Sequence, residues 1–208
     1  MCPDTAPTQP LLDSTEQLVY RDGIHATGMD AIVKRSGVSR KAIYAQYPNK
    51  QALVAAALQR RHVRWMAWFI AASAAGNSAD QQLRATFDAL GQWFASADYH
   101  GCAFLNTAGE TGDPDDVVRQ IARQHKQDLH DHLQALLHAD GVADAAALAR
   151  QMAMLINGAI ADALVFGHAD AADAACQAAL ALLHAAPAAD PARTTPSPST
   201  TALHGHLP

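Results

Sequence analysis

Residues 26–50 read ATGMDAIVKRSGVSRKAIYAQYPNK. Met29, Ile32 and Val33 fall at i, i+3 and i+4, the spacing of one buried helical face. Lys34, Arg35 and Ser36 lead to Gly37, which can take the positive φ that ends a helix. Val38 can plug the corner. The Ser39 hydroxyl is placed to accept an orphan N–H of the next turn. A second helix over 40–46 must stop near Pro48, because proline disfavours helix at the residue before it. Two short helices joined by a tight turn predict a helix-turn-helix, whose second helix enters the DNA major groove.

That second helix is an unusual core element. Only Ile43 is an aliphatic residue that must be inside. Arg40, Lys41, Tyr44 and Gln46 can all hydrogen-bond base edges or phosphates, while Ala42 and Ala45 keep the helix slim enough to approach a groove floor. Read alone, the same residues also describe a solvated surface helix with two ordinary cations, since basic runs are weak signals.

The ordered pattern resolves this. Gly23, Thr27, Ser36-Gly37-Val38-Ser39, Tyr44, Tyr47 and Lys50 resemble the N-terminal DNA-binding domain of the TetR family of transcriptional repressors, over residues 11–60. Gln46 stands where the family often has His, and Gly28 where it often has Ser or Thr, which removes one possible phosphate contact. The resemblance implies an all-α chain of about nine helices. A three-helix DNA-binding domain over 10–48 would precede a helical effector-binding and dimerisation domain over 49–186, with a flexible N-terminus at 1–9 and a disordered tail at 187–208. It implies a DNA-binding set of Thr27, Gly28, Ser39, Arg40, Lys41, Ala42, Tyr44, Gln46, Tyr47 and Lys50. Within it, Arg40, Lys41, Tyr44 and Gln46 read the groove, and Thr27, Tyr47 and Lys50 hold the phosphate backbone. Lys50 opens a helix, where ammonium and backbone N–H groups together suit a phosphate.

Charge follows the same division. The net charge of −5 alone argues against nucleic acid. Yet Leu11 to Arg64 carries nine Lys/Arg against four acids, whereas Trp65 onward carries six against fifteen. A basic head on an acidic body suits a module that grips phosphate at one end. Three widely spaced cysteines, Cys2, Cys102 and Cys176, form neither a zinc pattern nor a disulfide framework. Cys102 reads as a buried small hydrophobe before it reads as a redox sensor. No signal peptide is visible, and no uninterrupted apolar run spans a bilayer, so a cytoplasmic protein without membrane contact is expected.

The remaining helices follow from periodicity. Pro10 can start the first, with Leu11, Leu12, Thr15, Leu18 and Val19 on one face and Gly23 as its stop. Asn49 can cap a long fourth helix to about residue 72, and a fifth should span 79–96. A loop and short sixth helix cover 99–106, resembling a Gly-Cys-x-x-x-Asn segment with a following Glu, here Glu110, found in one subset of TetR-like proteins. Asp113-Pro114-Asp115-Asp116 reads as the N-cap, N1 proline and acidic first turn of the seventh helix. Alanine-rich eighth and ninth helices, 144–167 and 170–186, can approach closely, and a homodimer through 144–186 is expected.

The body should hold a mostly apolar effector pocket. Trp65, Trp68, Phe87, Trp93, Phe104 and Met152 are the wall candidates; Asn106, Glu110, His125 and Asn157 are the polar ones. For the aromatics the alternative is plain core packing, and for Asn106 and Glu110 it is capping or bonding to neighbouring helices. His125, Asp128 and His132 share one helical face, but the segment is simply His-rich, so no metal or cofactor is expected. The competing functions are an all-helical enzyme and a protein-binding scaffold. No nucleophile elbow, phosphate loop or strand scaffold supports the first, and the basic helix-turn-helix argues against both.

Overall fold

A computed structural model describes residues 8–189. Among these residues there are nine α-helices and no named strand: α1 (Thr8–Asp22), α2 (Met29–Ser36), α3 (Arg40–Gln46), α4 (Lys50–Ser73), α5 (Ala79–Phe94), α6 (Ala103–Gly109), α7 (Val117–Ala139), α8 (Ala145–Phe166) and α9 (Ala171–Ala185). Local chemistry sets most ends. Ser39, Asn49 and Ser78 each accept an N–H of the helix they precede, and Gly37 closes α2 at φ 71°.

Some expected boundaries shift. Helix α1 begins at Thr8, before Pro10. The run 113–116 is not the first turn of α7. The Asp113 carboxylate accepts the N–H of Asp115 in a turn, and Asp116 is the true N-cap, accepting from Val118 at 2.7 Å. Helix α5 stops at Phe94, and α6 occupies 103–109. Residues 187–189, assigned to the tail, run antiparallel to 141–143: Ala143 donates to Pro187 at 3.0 Å and Ala189 to Gly141 at 2.7 Å. The rest of that expected tail, and residues 1–7 of the expected flexible N-terminus, lie outside the described residues.

Two apolar clusters form. The smaller joins Leu11 and Leu18 of α1, Ile32 of α2, Ile43 of α3 and Leu53 of α4. The larger runs from Val19 through the body to Leu183. Helix α4 contributes to both, and packs against α1, α5 and α7. Helix α8 lies between α7 and α9. By length and composition α8 alone among the described helices is apolar enough to cross a membrane, though Arg150, Asn157 and Asp162 interrupt its apolar run. In the fold it is a bundle helix, burying Leu148, Met152, Ile156 and Ile160.

Candidate functional site

Helix α3 is displayed rather than packed. Ile43 anchors it at 1% exposure, while Arg40, Lys41, Tyr44, Ala45 and Gln46 face outward and Ala42 and Tyr47 are half-buried. The anchor leaves three polar side chains and one aromatic exposed along a seven-residue helix, a profile suited to base edges, although Gln46 accepts a hydrogen bond from the Thr8 hydroxyl at 3.2 Å. Arg40 forms an ion pair with Asp30 of α2, an exposed contact that a phosphate or a guanine can replace at little cost. Gly28 is the N-cap residue of α2, exposed and without a capping side chain.

Two residues assigned to phosphate are occupied elsewhere. Thr27 is buried, and its hydroxyl donates to the Gly23 carbonyl at 2.6 Å, so its side chain shapes the α1–α2 loop. Lys50 reaches back to the same loop. Its Nζ donates to the carbonyls of Ile24 at 2.7 Å and Thr27 at 3.0 Å, which commits two of three donors to bracing.

Glu110, expected in the effector pocket, also belongs to this loop. Its two carboxylate oxygens accept the backbone N–H groups of Ile24 and His25, each at 2.9 Å. Gly23 has φ +89°, and a Cβ there would stand 2.8 Å from the Glu110 carboxylate. Glycine is needed on both counts. Glu110 therefore ties the body to the reading head. Asn106 is exposed and donates to the His100 carbonyl at 2.9 Å; it caps a loop and faces no pocket.

The residues expected to line a pocket in the body do not share one cavity. The space between Trp65, Phe104, His125 and Ile160 amounts to about 10 Å³, no more than one water's worth. Phe87 and Met152 are core residues at 1% and 0% exposure. Asn157 is taken by the Lys126 ammonium at 2.7 Å. His125 stacks on Phe104 with centroids 3.8 Å apart and meets the Trp65 ring edge-on. Burial pushes the His125 imidazole down to about 2 and leaves it neutral. Its Nδ1 lies 3.2 Å from that of His62, whose Nε2 is 3.1 Å from Asp128. His132 turns to Ser73 instead. No group of three or more His, Cys, Asp or Glu placed to hold a metal occurs among the described residues.

The open space lies outside. A cleft of about 480 Å³ between α4 and α5 is lined by Trp65, Trp68 and Trp93 together with Arg61 and Arg64. Sequence reading named the tryptophans but missed the arginines and Glu16 of α1. That acid is 6% exposed, and Arg60, Arg61 and Arg64 all lie within 4 Å of it. One signal was available: Glu16 falls four residues after Leu12 and three before Val19, an acid on an apolar face.

Comparison with known proteins joins these features. Residues 11–57 match the model of the bacterial regulatory proteins of the tetR family, and residues 79–179 match the tetracyclin repressor-like C-terminal domain. The chain belongs to the TetR family. It is a DNA-binding transcriptional regulator, as that membership and its exposed α3 together require. The HTH-type transcriptional regulator YjdC of Escherichia coli strain K12 is 26% identical over 74% of this chain and 82% of its own. A TetR-family regulator from Streptomyces coelicolor superposes with a TM-score of 0.79 at 28% identity, over 86% of this chain and 94% of its own. A TetR-type regulator from Streptomyces avermitilis gives 0.79 at 27%, over 88% and 98%. Against the TetR pattern, Gly28 and Gln46 of this chain both lie on the outer surface of the reading head. The two departures therefore change the exposed surface of the reading head and leave the core untouched.

Proposed function

We propose that this TetR-family regulator is a cytoplasmic repressor that binds a palindromic operator as a homodimer and releases it when the body takes up a small, mostly apolar effector. The observation that carries the DNA part is the display of Arg40, Lys41, Tyr44 and Gln46 on a helix held by the single anchor Ile43. Ser39 and Ala42 sit at its N-terminal end and offer a hydroxyl for the phosphate backbone and a methyl for a thymine. Tyr47 borders the small core, and Lys50 supports DNA binding by bracing the loop ahead of α2, with one donor left for phosphate.

The dimer reading rests on the outer face of α8 and α9. Met154, Gly158, Ala161 and Val165 are exposed at i, i+4, i+7 and i+11, and Ala174, Ala178, Ala181 and Ala185 are exposed on α9. Small and apolar residues in such rows favour close helix packing against a second copy. Two reading heads would then meet half-sites about one helical turn apart.

Selection of bound sequences from random duplex DNA is the direct test. It should return an inverted repeat. Arg40→Ala should then relax preference at one position per half-site and weaken binding by about 1–3 kcal/mol. A pool with no enriched sequence would defeat the reading. For the effector, a library of small hydrophobic molecules is screened for release of the selected operator; a screen in which none releases it counts against that half of the proposal.

A further inference from the structure

The effector reading leaves open where a ligand sits and what it is. The space between Trp65, Phe104, His125 and Ile160 offers about 10 Å³, so it holds no organic molecule without rearrangement. The cleft between α4 and α5 offers about 480 Å³, within the range of small-molecule sites. Its wall is three tryptophans in mutual edge contact: Trp65 and Trp68 with centroids 5.6 Å apart, Trp65 and Trp93 6.1 Å, Trp68 and Trp93 5.9 Å. Such a wall takes a flat apolar body, or a cation held over the rings. Charge decides between them. Arg61 and Arg64 line the same cleft, and no acidic side chain among the described residues does. A cation is repelled there, and an anion is drawn in.

The two arginines also hold the reading head. Both donate to one oxygen of Glu16, Oε1, Arg61 at 2.9 Å and Arg64 at 2.5 Å. The other oxygen, Oε2, makes no hydrogen bond. Arg61 further lies over the Tyr20 ring of α1, 3.7 Å from its centroid. Two guanidinium forks thus share one acceptor, which leaves donor capacity for a second carboxylate. Glu16 sits on α1 between Leu11 and Leu18, which pack into the DNA-binding cluster.

We propose that this cleft is the effector site, that its ligand is a planar aromatic carboxylate, and that the carboxylate acts by drawing Arg61 and Arg64 away from Glu16. The proposal rests on the effector reading above and specifies its ligand and its lever. The flat ring lies against Trp65, Trp68 and Trp93. The carboxylate takes the forks, the tie between α1 and α4 loosens, and the head loses its setting against the body. A ligand shifts DNA affinity only through such a difference between two states, and the coupling is reciprocal.

The test is calorimetric titration of the full chain with three probes that share one ring: naphthalene-1-carboxylate, 1-naphthalenemethanol and 1-naphthylmethylammonium. The carboxylate should bind at least tenfold tighter than the alcohol, and the ammonium weakest. Arg64→Gln should abolish the preference for carboxylate over alcohol, and Trp68→Leu should weaken both, with melting curves showing each variant folded. Saturating carboxylate should weaken operator binding by roughly 5- to 150-fold. Glu16→Gln should weaken the operator without ligand and blunt the carboxylate's effect. Should that variant fail to fold, Arg64→Gln carries the coupling test, through a smaller effect of carboxylate on the operator. Equal affinity for acid and alcohol overturns the ligand class. A preference unchanged in Arg64→Gln, or no heat from any probe at millimolar concentration, overturns the cleft. Carboxylate binding that leaves operator affinity unchanged overturns the lever. A compound from the screen that releases DNA equally from parent, Arg64→Gln and Trp68→Leu upholds the effector reading while defeating this inference.

Discussion

Gly28 shows how a single position can be read both ways. Its φ and ψ of −84° and 155° suit any residue, and a Cβ there meets nothing within 4 Å. A serine would supply the N-cap side chain that α2 lacks. Gly28→Ser should therefore raise stability by about 0.3 kcal/mol, since glycine is only a few tenths worse than serine at an N-cap. Denaturant unfolding should show a small rise in midpoint, and a fall would mean that the loop conformation itself needs glycine. His125 is the opposite case, a titratable ring sealed in a core. Its folded pKa lies far below the ordinary value because burial disfavours the charged form. Unfolding then takes up a proton as pH drops below about 6.5, so stability is full above that value and is lost as pH falls. From pH 7.5 to 5.5 the contribution of His125 amounts to about 1.4 kcal/mol of lost stability. His125→Leu should make melting less sensitive to pH over that interval. His132, lowered by burial as well, adds in the same direction and should remain in the variant.

At the scale of elements, the loop between α1 and α2 is held by groups brought from far along the chain. Glu110 supplies two acceptors from the end of α6, and Lys50 supplies two donors from the start of α4. The positive φ of Gly23 turns the chain so that both can reach. Glu110→Ala should cost about 1 kcal/mol, the net scale of hydrogen bonds in partly exposed sites. Hydrogen exchange should speed at the amides of Ile24 and His25 while the interior of α8 stays protected. Uniform loss of protection would show the tie to be global instead of local. Lys50→Ala, which frees the carbonyls of Ile24 and Thr27, should speed exchange in the same loop. If Lys50 spends its charge on the loop, the salt dependence of operator binding should change by less than one phosphate contact.

At the scale of the molecule, burial decides which residues can probe dimerisation. Ile160 and Leu180 lie in the expected dimer segment, but they are 3% and 6% exposed within one chain. A charge at either would unfold the bundle and say nothing about association. Ala161 and Val165 lie on the outer face of α8, Val165 at 73% exposure. Ala161→Glu should keep its helical spectrum yet sediment as a monomer at micromolar concentration, and operator affinity should fall with it. A variant that remains dimeric would move the interface off α8. The exposed Phe166, stacked on His168 just beyond, lies at the end of α8.

The helices and the reading head were legible in the sequence because their determinants are local. The apolar spacing of Met29, Ile32 and Val33, the left-handed Gly37 and the capping hydroxyl of Ser39 all act within a few residues, and each recurs in the fold. The partners of Thr27, Lys50, Glu110 and Glu16 were not legible. A threonine before a helix, a lysine opening one and an acid among arginines look the same whether they face DNA, ligand or protein. The choice is made by groups that arrive from other helices, up to 86 residues away for Glu110 and Ile24. The same holds for the tryptophans. Sequence named Trp65, Trp68 and Trp93 as wall candidates, but only the packing of α4, α5 and α7 decided that the space beside His125 closes and the open cleft lies between α4 and α5. Local spacing sets which face of a helix is buried; the volume left between faces depends on how side chains from distant segments meet.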